Sequence, residues 1–220
     1  MRRAQFFMSH YGKSNTKFYE LISIFNSFFK VFENENNKLN FYLSNNKLFY
    51  INKENIYHVI GMHYISNALG YSKKQGNIEK IRRFIDDILN EKLNYYKLQQ
   101  SFIKNIKSLN TTDNLKKKPV DFLKLIVQRI ETFVEICRKD FKNEEEIMII
   151  KLPNEDITYL CIKEFSKKHY GSIGFKRITR KGYSYDTYIS QTIKTISKKR
   201  MNFEIEIEKF KSKTFNIKTK

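Results

Sequence analysis

Near residue 140 the spacing of apolar side chains changes from about 3.6 residues to 2. Few features restrict a fold more, because the first period lays a stripe along a helix and the second puts alternate residues on one face of a strand. Before the change, Phe18, Leu21, Ile22, Phe25, Phe28, Phe29 and Phe32 recur at threes and fours and predict an amphipathic helix over 16–32. Ile78, Ile81, Phe84, Ile85 and Ile88 predict a second over 77–89, and a third is expected over 92–106. Residues 54–66 are apolar nearly all round, which predicts a helix buried on several sides. Phe122, Ile126, Ile130, Phe133 and Cys137 predict a strong amphipathic helix running from its cap at Asp121 to about Lys139.

After the change, 146–152, 157–163, 173–179 and 185–190 each alternate in the manner of a strand. Their separators are brief and rich in turn residues, so consecutive strands must pair antiparallel; a parallel pair needs a crossover of about a dozen residues. Two further short strands, 39–43 and 47–51, flank Ser44-Asn45-Asn46 as a β-hairpin. The expected class is α+β: a mostly helical N-terminal half with a short β-hairpin, then a helix and a four-stranded antiparallel sheet. Residues 110–119, polar and ending in Pro119, form the best linker. They divide a helical region at 1–110, able to pack on the rest as one domain, from a helix-plus-sheet core at 119–196. Residues 197–220 form a basic tail whose alternating stretch reads as an edge strand or a loosely held end.

Charge narrows the function. Forty-two Lys and Arg against 23 Asp and Glu leave 42 − 23 = +19 over 220 residues, which calls for an acidic partner, although heavy use of Lys, Ile and Asn also follows AT-rich coding. With hydrophobic residues at 40% the chain can fill a core and is not a disordered basic tail. No apolar run approaches the roughly 18 residues of a membrane span, and the first residues break at Ser9-His10 before a signal-peptide core develops. No membrane partner is expected. The two cysteines, Cys137 and Cys161, exclude a disulfide scaffold and a Cys-rich zinc module, which suits a reducing cytoplasm. Seven glycines and no Gly-rich loop disfavour a nucleotide cofactor, and no cofactor or metal is expected.

Four groups of residues could carry chemistry. Arg129 falls at the edge of the apolar face of its helix, between Phe122 and the pair Leu125 and Ile136, so it must be paired, must snorkel, or must point into a site and clamp a phosphate. His58 and His63 share the buried-looking helix about 140° apart on the wheel, as core histidines or as a proton acceptor and donor near neutral pH. From 163 to 181, Lys163, Lys167, Lys168, Lys176, Arg177, Arg180 and Lys181 face one acid, Glu164, with His169, Tyr170 and Phe175 interleaved. Cations mixed with aromatics suit a phosphate backbone and stacked bases, though a solvated basic hairpin gives the same pattern. Tyr188, Ser190 and Thr192 share one face of the last strand, where hydroxyls could hold a phosphate oxygen.

The segment Ile56-Tyr-His-Val-Ile-Gly-Met-His-Tyr after a hairpin, then Lys118-Pro-Val-Asp-Phe-Leu-Lys-Leu-Ile-Val-Gln-Arg-Ile-Glu-Thr-Phe, then the strands ending Tyr183-Ser-Tyr-Asp-Thr-Tyr-Ile-Ser, resembles a phage-type nuclease family of the barnase/EndoU/colicin/RelE-like group. The resemblance spans about residues 15–195. It implies a helix-plus-four-stranded-sheet core that cleaves RNA without metal, the ribose 2′-hydroxyl attacking the adjacent phosphate. It places His58, Arg129 and Ser190 in the site; Lys163 and His169 are added from the basic strand and turn. The proline usual near the last-strand serine is replaced here by Thr187 and Tyr188. A phage-associated toxin or defence effector follows, with RNA as partner and an acidic inhibitor or antitoxin as a second. The rival expectation is a non-catalytic nucleic-acid-binding module.

Overall fold

Residues 2–35, 39–43, 48–105, 122–138, 146–151, 157–166, 169–178, 187–197 and 205–211 are described by the computed structural model. The aromatic stripe near the N-terminus belongs to α1 (Arg2–Glu35), which buries Phe18, Ile22, Phe25, Phe29 and Phe32 along one side. The hairpin β1 (Leu39–Leu43) and β2 (Leu48–Ile51) follows, with Leu39 opposite Ile51 and Tyr42 opposite Leu48. Next come the short α2 (Lys53–Val59), a 3₁₀ turn at Met62–Tyr64, α3 (Asn77–Leu89) and α4 (Tyr95–Asn105). A π-helical stretch, Leu123–Val127, leads directly into α5 (Gln128–Arg138).

Edge-to-face aromatic pairs hold the helices together, an arrangement the ring quadrupole favours. Phe133 of α5 meets Phe25 of α1 at 5.8 Å between ring centres and an interplanar angle of 77°. Phe122 meets Phe18 at 6.5 Å, and its backbone N–H donates to Gln99 Oε1 at 2.8 Å, so α4 satisfies the entry of the next helix. Asp121, read from sequence as that cap, lies outside the described residues, as does the linker at 110–119.

Among the described residues β3 (Glu146–Lys151), β4 (Ile157–Ser166), β5 (His169–Ile178), β6 (Thr187–Ser197) and β7 (Ile205–Lys211) join β1 and β2 in the order β1-β2-β6-β5-β4-β3-β7, which closes on itself, β7 pairing with β1. Every pair is antiparallel except β2 with β6, which the long intervening chain allows to run parallel.

This overturns the fold class expected from sequence. A free-standing four-stranded antiparallel sheet behind a mostly helical half with its own hairpin is not what forms. The edges such a sheet would expose, β3 and β6, carry β7 and β2 instead, so the hairpin and part of the tail complete one closed, mixed sheet. Unpaired edges invite association with other chains, and closure removes them. Residues on both sides of the linker share one apolar core, from Phe18 to Ile193, with Phe49 of β2 and Phe175 of β5 in contact at 5.1 Å. Gly171 through Phe175 are all buried, so β5 is covered on both faces at that point.

Candidate catalytic site

The site begins where α2 fails to continue. Asn52 and Asn55 cap its start reciprocally: the N–H of Asn55 donates to Asn52 Oδ1, and the N–H of Asn52 to Asn55 Oδ1, both at 3.1 Å. Seven residues later the helix stops, and Gly61 takes φ +80°, a left-handed conformation that glycine adopts without a Cβ penalty. The chain then resumes as the 3₁₀ turn, with the N–H of Tyr64 donating to the carbonyl of Gly61 at 3.0 Å. Tyr57 Oη and Ser66 Oγ, both buried, hydrogen-bond at 2.9 Å and staple the two ends of this reversal.

Because of that break, His58 and His63 do not diverge as they would on one continuous helix over 54–66. Their ring centres stand 5.5 Å apart, with planes inclined by 42°. Tyr57 meets His58 edge-on at 5.3 Å, and Tyr64 lies against His63 at 4.0 Å. Both histidines are exposed to solvent. Crowding still strips water from His63, and with the added charge of Arg129 and the neighbouring His58 its pKa falls from 6.5 to about 4. At neutral pH it is an uncharged imidazole with one ring nitrogen unprotonated.

Arg129 projects from α5 against the same turn. It is only 9% exposed; its Cζ lies 5.3 Å from the centre of the Tyr64 ring. A Cβ on residue 61 would stand 2.8 Å from Arg129 Nη1 and 3.3 Å from Ile126 Cδ1, so the bare glycine is what admits the guanidinium. Burial lowers the Arg129 pKa, with the Tyr64 phenol acting in the opposite direction. Among the described residues, Arg129 Nη1 has no hydrogen-bond partner, and neither does Thr132 Oγ1, three residues on and fully buried. Residues three apart share a helix face. Among the described residues no carboxylate pairs with Arg129, and a buried cation left so costs several kcal/mol, which an arriving anion would offset.

The other sequence candidates are placed less directly. Ser190 stands on β6 opposite Phe175, beside a register shift, and β6 is the strand on which both α2 and α5 pack. Lys163, opposite Gly171 on β4, is two strands from β6, about 10 Å at ordinary strand spacing. His169 and Tyr170 open β5 opposite Ser197 and Ile196, and Arg177 lies opposite Tyr188. Lys176 is exposed. Lys167, Lys168, Arg180 and Lys181 lie outside the described residues.

The structure therefore joins His58 and Arg129 through His63, which the sequence offered beside His58 as a proton acceptor or donor, and through two residues not placed in the site from sequence: Gly61 and Tyr64. The signal for them was a lone glycine inside an otherwise helical pattern, which marks a packing or functional constraint. Among the described residues no group of three or more His, Cys, Asp or Glu could hold a metal ion, and no helix is long and apolar enough to cross a membrane. The chain matches no family model, no curated protein and no solved structure.

Proposed function

We propose that the protein is an endoribonuclease whose centre is the cluster of His58, His63 and Arg129, cutting cytoplasmic RNA by attack of the ribose 2′-hydroxyl. The observation that carries this reading is a guanidinium nine-tenths buried, with one nitrogen unpartnered among the described residues, beside two imidazoles 5.5 Å apart. In the reaction the neutral His63 takes the 2′-hydroxyl proton as the 2′-oxygen bonds to phosphorus. The bond from phosphorus to the 5′-oxygen breaks, and that oxygen takes up a proton through His58, so that the proton removed by His63 is balanced by the one delivered. The products are a 2′,3′-cyclic phosphate and a free 5′-hydroxyl. Arg129 stabilises the charge that builds on the phosphorane oxygens, a task suited to its planar fork. The net charge of +19 draws RNA in, and an acidic inhibitor would compete for the same cations.

End-labelled single-stranded RNA incubated with the protein in EDTA should be cut, leaving cyclic-phosphate ends. Arg129→Ala should slow cleavage by about 10²-fold or more, the usual loss for one transition-state donor. Equal rates for the wild type and the folded variant would remove Arg129 from the reaction. RNA that stays intact in a stable complex would favour the binding-module reading, which the exposed Lys176 beside the basic strands supports.

A further inference from the structure

We infer that the His58–His63 pair is also a chelating site for a divalent transition-metal ion such as Zn²⁺, whose occupancy blocks the cluster. With a Zn–N bond of about 2.0–2.1 Å and a ring centre roughly 1.1 Å behind its donor nitrogen, two imidazoles on a tetrahedral ion have centroids about 5.2 Å apart. The observed separation is 5.5 Å, so small side-chain rotations close the chelate. Both residues are exposed to solvent, which gives an ion access and leaves the remaining positions to water or an anion. Each ring is already oriented by an aromatic neighbour, Tyr57 against His58 and Tyr64 against His63, so little side-chain freedom is lost on binding. Gly61 makes the pairing possible, because a helix continued through it would separate the rings.

Arg129 opposes a cation here, and for that reason the site is a modest, reversible one. An anion in an open coordination position would lie toward the guanidinium and relieve the repulsion. Metal and RNA then compete for the same imidazoles, so the ion acts as an inhibitor.

Calorimetric titration of the full chain with zinc chloride, without RNA, tests the site directly. The wild type should bind one ion saturably; His58→Ala and His63→Ala should each abolish that binding while far-UV circular dichroism stays unchanged. Arg129→Ala should bind at least as tightly as the wild type, which a site elsewhere on the surface would not predict. Absence of a saturable heat, or the same heat in the His58→Ala/His63→Ala double variant, overturns the inference. The titration reads no cleavage, so its failure leaves the ribonuclease reading standing, and RNA that is never cut leaves the metal site standing.

Discussion

At the scale of single residues, the cluster is defined by groups whose surroundings run against their chemistry. His63 is the clearest. Its folded pKa, about 4, lies below the 6.5 of an unhindered imidazole, so the unfolded chain binds its proton more readily than the native one. The stability this residue contributes is present above pH 6.5 and is lost as the pH falls toward 4. Denaturant midpoints measured between those values should decline for the wild type and decline less for His63→Gln; parallel curves would show that His63 is not desolvated. Tyr57 and Ser66 offer a second test. Tyr57→Phe leaves the buried Ser66 hydroxyl without its partner, and that should lower stability by about 1–3 kcal/mol by chemical denaturation.

Among the elements, the decisive one is a helix that ends early. The sequence pattern located the apolar stripes of α1 and α3, because buried residues recur there at helical spacing and nothing interrupts them. It did not locate the break at Gly61, since a glycine within an apolar run reads as a weak helical position, and only the neighbouring Arg129 shows why a Cβ is excluded. For the same reason Arg129 was legible as a misfit on its helix edge, and His58 and His63 as candidates, while their meeting was not: an amphipathic wheel describes one helix and cannot say what a second segment brings to it. The π-helical stretch just before α5 was also invisible, although such turns often accompany functional sites because they re-aim the residues that follow. Gly61→Ala should expose the coupling between turn and guanidinium. A residue with φ near +80° strains an L side chain by about 1–2 kcal/mol, and the added methyl displaces Arg129 as well. The melting temperature should fall, and cleavage should fall further than stability alone accounts for when assayed well below the melting range. A variant with full activity would show that the guanidinium does not need its place against residue 61.

For the molecule as a whole, period-two runs predict strands but not which strands meet at the seam. β2 and β6 lie far apart in the chain, and so do β1 and β7, so their pairing depends on how the helices pack and not on any local turn. That is why a sheet with two free edges was expected and a closed one is found. Closure also gives the C-terminal strand a structural task, because β7 covers β3 on one side and β1 on the other. Removing residues 205–220 should therefore leave two hydrogen-bonding edges exposed at once. The shortened chain should melt at a lower temperature and should associate in a concentration-dependent way, read as a rising apparent mass in sedimentation, since unpaired edges template pairing with other copies. The helical cluster of His58, His63 and Arg129 is built outside β7, so any monomer that remains should keep the Zn²⁺ heat of the intact protein. A truncated chain that stays monomeric with an unchanged melting temperature would mean that β7 does not close the sheet in solution.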